Sequence, residues 1–360
     1  MNMESTIENE ICIGGNISIP RIQRRLKGVQ VSVPSVQLYS VYFDDSHCSL
    51  IRNGIGLRLR KEGDRLYQTL KIEFKHYRRK EWTRMIKSKF AAPVTKQYLD
   101  IDSVTDIFSQ TGIHFDFNLQ KTLTDLEIIF KVDVQRKTWT LPFRGSEIEL
   151  ALDLGTILSG KAVEKISEIE IELINGDPLI IWQLASELAT ASPNLFFEPQ
   201  SKAFRGAILA GIPPSEFEHY KINSVFEPHP TKLLAQNLYI IQKKLSYFFL
   251  QYCKTGKQSL LKETIKIIKA ISNQKLSQCV SNRNNYSRTC LKNLIKRKNL
   301  LYGKILSPQG RPSICLHHKK VIFSKPVIKR KLTKNQLMIL RKEMLNFNIE
   351  LGFFCSLCCK

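Results

Sequence analysis

The stretch LYSVYFDDSHCSLIRNGIGLRLRKEGDRLYQTLK, residues 38–71, shows how the first half of the chain folds. Residues 36–43 are rich in β-branched and aromatic side chains, which favour a strand. Residues 56–61 alternate Leu with Arg, and residues 66–74 return with a similar alternation after a Gly-Asp pair at 63–64. Alternation on both sides of such a turn predicts a β-hairpin.

Working outward from this hairpin, the same strand pattern returns at residues 130–142, 147–153 and 167–174. Apolar residues at helical spacing occur at 98–110 and, after a proline at a helix start, at 179–191. Several alternating strands interrupted by a few helices predict an α+β fold for this part of the chain.

The composition changes sharply after residue 212. Residues 213–360 carry 28 Lys+Arg against 6 Asp+Glu, a net charge of +22, whereas residues 1–212 carry +1. We therefore predict two domains, 1–212 and 213–360, the second of which faces a polyanion such as polyphosphate or nucleic acid. Mutational drift toward Lys, Asn and Ile in an AT-rich genome would produce a similar charge and stays open as an alternative.

The basic second half is predicted to be helical in part. Apolar residues at helical spacing occur at 231–252, at 259–270 and again at 334–348. Beyond residue 282 the periodicity fades, so part of this region is expected to be disordered.

Hydropathy excludes a membrane-spanning helix. No run of 18 uncharged apolar residues occurs, and the N-terminal segment carries acids where a signal peptide has basic residues. We expect a soluble, cytoplasmic protein without a membrane partner.

The charged residues in the strands are sorted by sign. Acids recur at every second position of several strands, and Arg recurs likewise at positions 58 and 60, so each set shares one face. The pattern leaves open whether these faces point into water or into a barrel. Inside a barrel, carboxylates at this density would require cations such as Mg²⁺ or Mn²⁺, and the Arg side chains would hold a multiply charged anion.

These motifs resemble the CYTH family, also called the triphosphate tunnel metalloenzymes, over about residues 4–211. The resemblance rests on the opening stretch and on five later blocks in family order: RKEW (79–82), VDVQRKTWTLP (132–142), EIELALDLGTI (147–157), SEIEIELINGDP (167–178) and EPQSKAFRG (198–206). It implies an eight-stranded antiparallel β-barrel with flanking helices, whose interior binds a triphosphate. Bacterial inorganic triphosphatases with a C-terminal CHAD domain, a helical bundle associated with polyphosphate, are similar. Residues 213–360 would then be a truncated or degenerate CHAD-like region.

The resemblance also implies roles for individual residues. The catalytic carboxylates would be Glu8, Glu10 and Glu170. A divalent ion, magnesium or manganese (Mg²⁺ or Mn²⁺), would be held by Glu8, Glu10, Glu149, Asp153, Glu168 and Glu170. Substrate binding would fall to Arg58, Arg60, Lys71, Glu81, Arg136, Lys202 and Arg205.

The sequence departs from the family at Cys12, where the N-terminal ExExK strand has a lysine. A thiol supplies no positive charge to a phosphate, so the activity is expected to be impaired. The expected function is divalent-metal-dependent hydrolysis of inorganic triphosphate or a related organic triphosphate. The alternatives left open are a catalytically weakened protein that binds polyphosphate or nucleic acid and, more remotely, a nucleotidyl cyclase.

Overall fold

The predicted hairpin is formed by strands β3 (Ile55–Glu62) and β4 (Arg65–Glu73) of the computed structural model. The turn between them contains Gly63, whose φ of 58° lies in the left-handed region that glycine adopts without strain. The structure describes residues 4–17, 20, 22, 34–73, 78–111, 117–190, 195–212, 231–272, 293, 295–297 and 334–359.

Strands alternate with short helices along the first part of the chain, as the sequence predicts. The remaining strands are β1 (Glu4–Gly15), β2 (Val36–Asp44), β5 (Arg78–Lys87), β6 (Glu127–Phe143), β7 (Ser146–Ser159), β8 (Ala162–Asn175) and β9 (Leu195–Phe197). The helices here are α1 (Ser49–Arg52), α2 (Ile101–Thr111), α3 (Leu119–Thr124), α4 (Ile180–Ala189) and α5 (Lys202–Leu209), with a 3₁₀ turn at Lys96–Tyr98.

Strands β1 to β8 form an antiparallel barrel. Neighbouring strands follow the order β5-β4-β3-β2-β6-β7-β8-β1. Strand β1 pairs with β8 through residues 10–14 and with β5 through residues 4–9, so the pairings return to their starting strand. The predicted α+β fold with an eight-stranded antiparallel barrel and flanking helices is confirmed.

The two faces of the strands have different environments. Val41, Leu57 and Leu70 lie on the face that packs against α2 and α3. Because these helices cover the barrel from outside, the opposite face of each strand points into the interior. The alternating charged positions lie on that inner face together with apolar residues such as Phe130 and Val132.

Helix α5 packs against the apolar part of the inner face. Ala207 belongs to the same buried cluster as Phe130. Gly206 lies so close to this ring that an added Cβ would be 2.2 Å from Phe130 Cδ2. The glycine therefore allows α5 to approach the inner face closely. The position of α5 in turn determines which inner-face side chains Lys202 and Arg205 can contact.

Loop residues at the end of β2 fix the short helix α1. Asp44 is buried and accepts hydrogen bonds from the backbone N–H groups of Leu50 and Ile51, each at 2.9 Å. Asp45 accepts from the Thr122 hydroxyl at 2.8 Å, which connects this loop to α3. The carboxylates thus satisfy N–H groups that a helix start leaves unpaired.

The chain divides into two compact units. The first comprises Met1–Ile17, Leu26–Ile181 and Gln200–Tyr220, and the second Ser18–Arg25, Trp182–Pro199 and Lys221–Lys360. The domain boundary after residue 212 stays a prediction.

The second unit contains three longer helices: α6 (Thr231–Thr255), α7 (Gln258–Ser272) and α8 (Lys334–Cys359). Helix α6 packs against both α7 and α8. The three helices predicted in this region are confirmed, and α8 continues past the predicted end at residue 348. The disorder expected after residue 282 falls mostly on residues outside the described ones. Among the described helices, none is long and apolar enough to cross a membrane.

Candidate active site

Three carboxylates meet inside the barrel where β7 and β8 run side by side. Asp153 is opposite Glu168 in the register of these strands, and Glu170 follows two residues later on the same face. One carboxylate oxygen of each residue lies within 4.8 Å of the other two. Asp153 and Glu168 are buried, so this three-carboxylate cluster needs cations close by.

Lys202 supplies one of these cations from the first turn of α5. Its Nζ lies 2.7 Å from Asp153 Oδ2, 2.5 Å from Glu168 Oε1 and 2.6 Å from Glu170 Oε1. The Ser201 hydroxyl accepts a hydrogen bond from the Phe204 N–H at 3.1 Å and so defines where the helix starts. Burial alone would lower the pKa of Lys202, but the three carboxylates outweigh it and raise that pKa.

Two arginines complete the neutralisation of the cluster. Arg136 is opposite Asp153 in the β6–β7 register and donates to both of its oxygens, at 2.7 Å and 2.6 Å. Its Nη2 also lies 2.5 Å from Glu170 Oε2. Arg205 follows Lys202 by three residues on α5 and donates to Glu168 at 2.5 Å. Three carboxylates thus face three cations.

The pKa shifts of Asp153 and Glu170 favour the ionised forms of these two carboxylates at neutral pH. Burial acts to raise the pKa of Asp153 and of Glu170. Lys202 and Arg136 outweigh burial at both residues, so both pKa values lie below their ordinary range. The cluster is therefore an ion network whose charges are balanced within the protein.

A second ion group lies around Lys71 on β4. Lys71 forms an ion pair with Glu8 of β1, and its Nζ lies 3.2 Å from Glu81 Oε2 on β5. Glu81 also has Arg58 Nη2 at 3.8 Å. Burial acts to raise the pKa of Glu81, but Lys71 and Arg58 outweigh it and the pKa is lowered. This group is again made of side chains from strands that are neighbours in the barrel.

The Arg58 and Arg60 side chains on β3 are held by hydroxyl groups of β2. Arg58 Nη1 donates to the Tyr42 hydroxyl at 3.2 Å, and Arg60 Nε donates to the Ser40 hydroxyl at 3.3 Å. Tyr42 is opposite Arg58, and Ser40 is opposite Arg60, in the β2–β3 register. Each hydroxyl orients a guanidinium without cancelling its charge.

Arg60 is the least compensated of the inner cations. Within the described part of the chain, no carboxylate oxygen lies within 4.0 Å of its guanidinium nitrogens. Burial lowers the pKa of Arg60 to about 10, and repulsion from Arg58 and Arg136 contributes in the same direction. A half-buried guanidinium with no carboxylate in contact among the described residues is suited to bind an anion.

A row of acids crosses three strands on the inner face. Glu10 of β1 is opposite Glu172 of β8, and Glu172 is opposite Glu149 of β7. As far as the described residues show, neither Glu149 nor Glu172 forms an ion pair. Burial, together with Glu8, raises the pKa of Glu172 to about 7, and burial also raises that of Glu149. Within the described part of the chain, Glu149 and Glu172 are thus two neighbouring carboxylates without a cationic partner.

Cys12 lies beside the three-carboxylate cluster. It is opposite Glu170 in the β1–β8 register, two residues from Glu10 along β1. Burial and the nearby Glu168 raise the pKa of its thiol, so the side chain is neutral at physiological pH. The position at which the family pattern has a lysine is therefore an inner-face position.

The structure brings the predicted site residues together in three groups on the inner face. Asp153, Glu168 and Glu170 lie with Arg136, Lys202 and Arg205, whereas Glu8, Lys71, Glu81 and Arg58 form the second group, and Glu10 and Glu149 belong to the acidic row. Arg60 lies beside Ser40. The roles assigned to these residues stay predictions.

Sequence reasoning left Glu172, Tyr42 and Ser40 out of the site. Glu172 shares the alternation of Glu168 and Glu170, and this alternation alone could have identified it. Tyr42 and Ser40 carry no comparable signal, because an aromatic residue in an apolar strand is ordinarily a core residue.

A family model for the CYTH domain matches residues 17–207. The chain belongs to the CYTH domain family. The resemblance seen in the sequence is thereby confirmed for this part of the chain, whereas the CHAD-like character of residues 213–360 stays a prediction.

This CYTH domain is similar to an inorganic triphosphatase from Haemophilus influenzae, with 29% identity over 207 residues. The match covers 58% of this chain and 55% of that protein. The chain thus matches little more than half the length of this curated relative.

Solved structures with a similar arrangement include two proteins of the adenylyl cyclase type. One is from Hippeastrum, and a dominant triphosphatase activity is stated for it. It is 14% identical to this chain, the match covers 56% of this chain and 96% of the Hippeastrum chain, and the TM-score is 0.35. The other, from Bacillus halodurans, is 14% identical, covers 52% of this chain and 90% of its own, and has a TM-score of 0.34. The family assignment rests on the match to the CYTH domain and not on these structures.

Proposed function

We propose that this CYTH domain hydrolyses a triphosphate with the help of a divalent cation, with inorganic triphosphate as the first candidate substrate. The observation that carries the proposal is the position of Arg60 and Arg58. Two half-buried guanidinium groups face the barrel interior: Arg58 lies 3.8 Å from Glu81, and Arg60 has no carboxylate within 4.0 Å among the described residues. Carboxylates line the strands across the interior. This arrangement suits a polyanionic substrate accompanied by a metal ion.

The inner cations contribute unequally to this proposal. Arg136, Lys202 and Arg205 are bound to carboxylates at 2.5–2.7 Å, so they would have to exchange partners to reach a phosphate. Arg60 has no carboxylate partner among the residues that the structure describes, and Arg58 has one at 3.8 Å. Phosphate oxygens would therefore bind first at Arg58 and Arg60.

The carboxylates fit a hard divalent cation by their chemistry, since oxygen ligands are those that Mg²⁺ and Mn²⁺ prefer. The three-carboxylate cluster has suitable spacing, but Lys202 Nζ already lies among its oxygens. In the acidic row, Glu149 and Glu172 form no ion pair with any described residue. We therefore infer a primary metal position at Glu10, Glu149 and Glu172, next to Glu8, whose carboxylates would have to converge on the ion. Among the described residues, only Asp153, Glu168 and Glu170 have ligand oxygens within 4.8 Å of one another, and these hold Lys202 and the arginines.

A divalent ion bound there would supply Lewis-acid charge at the phosphate oxygens. The protein's own part is to bind and orient the substrate. Arg58 and Arg60 would fix the oxygens of the triphosphate, and the hydroxyls of Tyr42 and Ser40 would fix the two guanidinium groups. Positioned cations of this kind stabilise the charge that builds up during phosphoryl transfer.

The proposed reaction is tested by phosphate release from inorganic triphosphate in the presence of Mg²⁺, Mn²⁺ or EDTA. We expect release with at least one of the two ions and none in EDTA. Arg60→Gln should lower kcat/KM about tenfold or more, because it removes a transition-state contact. Lys61→Gln, which changes the next residue on the opposite strand face, is the matched control and should behave like the wild-type protein.

The proposed metal position predicts that Glu172→Gln weakens binding of Mn²⁺ by about tenfold or more, since even residues that only support metal ligands have effects of this size. Glu147→Gln is the control, because Glu147 is an exposed acid of β7 two residues from Glu149. Calorimetry with Mn²⁺ and no substrate measures the effect independently of turnover. Unchanged affinity in Glu172→Gln would contradict the assignment of this row.

A second candidate function is polyanion binding without turnover, as expected for a catalytically weakened relative. Cys12 in place of the family's lysine favours it. So do four exposed lysines at the end of α6, in the connection to α7 and on α7: Lys254, Lys257, Lys262 and Lys266. Exposed lysines attract polyphosphate or nucleic acid through long-range electrostatics. Binding of polyphosphate without phosphate release under all three conditions would favour this candidate over hydrolysis. The CHAD-like region, the organic triphosphates and the cytoplasmic location stay predictions.

A further inference from the structure

Tyr42 carries a hydroxyl group whose proton has no acceptor in the described structure. The residue is 5% exposed. Its oxygen accepts a hydrogen bond from Arg58 Nη1 at 3.2 Å. The Tyr42 hydroxyl forms no other hydrogen bond with the described residues. A guanidinium has five donors and no acceptor, so Arg58 cannot take the phenolic proton in return. Burying an unpaired donor costs free energy unless a ligand pairs with it.

We propose that the Tyr42 hydroxyl is a substrate-binding group that donates its proton to a phosphate oxygen held by Arg58 and Arg60. This inference rests on the proposed binding of a triphosphate and adds a neutral donor to its cationic site. A phosphate oxygen placed between the two guanidinium groups would accept from all three side chains. Phosphate oxygens are strong acceptors, and hydrogen bonds to charged groups are stronger than neutral ones.

The Tyr42 ring is held in place from its other side. It stacks on Phe130 with ring centroids 4.5 Å apart and an interplanar angle of 19°. Phe130 in turn packs against Gly206 of α5. The ring therefore has little freedom to turn, and its hydroxyl is held in a fixed position. A ligand that binds this hydroxyl does not have to pay the entropy cost of ordering the side chain.

The electrostatic surroundings favour the same role. Burial alone would raise the pKa of Tyr42, but Arg58, Arg60 and Lys202 outweigh it and the pKa is lowered. These three side chains, on β3 and α5, are the charged groups that act on the hydroxyl from the elements packed around it. A phenol made more acidic by neighbouring cations is a better hydrogen-bond donor to an anion.

The test compares Tyr42→Phe with Tyr39→Phe in the full-length protein. Tyr42→Phe keeps the stacked ring and removes the hydroxyl. Tyr39 lies on the same strand but packs against the outer cluster, so it controls for the loss of a tyrosine hydroxyl as such. Calorimetric titration with inorganic tripolyphosphate measures binding, and phosphate release with Mg²⁺ or Mn²⁺ measures KM and kcat separately.

We expect Tyr42→Phe to weaken tripolyphosphate binding and to raise KM about tenfold, with a smaller change in kcat, as for the loss of one hydrogen bond to a charged group. Tyr39→Phe should match the wild-type protein. Equal affinity of Tyr42→Phe and wild type would overturn the inference while the proposed hydrolysis stood. If Tyr42→Phe binds tripolyphosphate more weakly but no variant, wild type included, releases phosphate, the proposed hydrolysis would be overturned and the inference supported. No binding to the wild-type protein would overturn both.

A second variant keeps the test valid if Tyr42→Phe does not fold. Site-specific 3-fluorotyrosine at position 42 retains the ring and the hydroxyl but ionises at lower pH. Once ionised, the phenolate has no proton to donate and repels the phosphate. Tripolyphosphate affinity should therefore begin to fall at a lower pH than in the wild-type protein. A packing role of Tyr42 would leave this pH profile unchanged, and an unchanged profile would overturn the inference.

Discussion

Lys202→Met is expected to destabilise the protein by about 3–5 kcal/mol, the usual cost of removing one partner from a buried ion pair. The Lys202 ammonium contacts Asp153, Glu168 and Glu170, and its side chain is 10% exposed. Methionine fills a similar volume but leaves these carboxylates with Arg136 and Arg205 as their neutralising neighbours. A loss of this size is a large part of the stability of an ordinary domain, which is about 5–15 kcal/mol.

The loss should depend on pH in a defined direction. The folded-state pKa values of Asp153 and Glu170 are lowered. Their ionised forms therefore stabilise the wild-type fold above the unfolded-state pKa of about 4, and this stabilisation disappears as the pH falls through the folded-state values. The difference in stability between wild type and Lys202→Met should consequently be largest near neutral pH and shrink below about pH 4.

Chemical denaturation at several pH values measures this difference. Lys161→Met, at the exposed turn between β7 and β8, is the control for replacing a lysine by methionine. It should change stability by less than about 0.5 kcal/mol, as surface substitutions usually do. A loss in Lys202→Met as small as that of the control would mean that the carboxylates do not depend on this ammonium.

The strands of the barrel could be predicted from the sequence because the signal for each strand is local. A strand with one apolar and one charged face repeats every two residues, and this repeat can be read without knowledge of its neighbours. Helices α6 and α7 were predicted for the same reason, from apolar residues at helical spacing. The end of α8 was predicted too early, since residues 349–359 are mostly apolar and have no helical periodicity.

The ion network could not be predicted from spacing alone, because it depends on register. Arg136 meets Asp153 through the pairing of β6 with β7. This register follows from the two-residue turn at residues 144–145, and it can be derived only once the ends of both strands are known. Lys202 reaches the same carboxylates from a helix that follows the barrel strands in sequence. Its contacts depend on how closely α5 approaches Phe130, which Gly206 permits.

The family pattern identified which charged residues belong to the site, but not how their charges are distributed. The pattern treats the carboxylates as one set of metal ligands. In the structure, Asp153 and Glu168 are bound to cations of the protein, whereas Glu149 and Glu172 form no ion pair with a described residue. This difference follows from where the cationic side chains end, and it is what turns a list of acids into a specific proposal about the metal position.

Cys12→Lys is expected to increase the rate of triphosphate hydrolysis, by about 100-fold in kcat if the missing lysine acts as a transition-state contact. Cys12 faces the barrel interior opposite Glu170 and is influenced by Glu168, Lys202 and Arg205. In the wild-type protein three cations balance the three-carboxylate cluster. A fourth cation would give this group a net positive charge, which attracts a triphosphate and allows Lys202 to exchange a carboxylate for a phosphate.

The matched control for this variant is Cys12→Met, which adds length and volume but no charge. Steady-state kinetics on inorganic triphosphate with Mg²⁺ or Mn²⁺ should show higher kcat in Cys12→Lys than in wild type, since contacts that are stronger in the transition state raise kcat. Cys12→Met should show no gain. A gain of equal size in both variants would mean that space rather than charge limits the wild-type protein. A folded Cys12→Lys protein with wild-type kcat would instead mean that the network around Lys202 has already taken over the role of the missing lysine, and the polyanion-binding function would then become the better account of this chain.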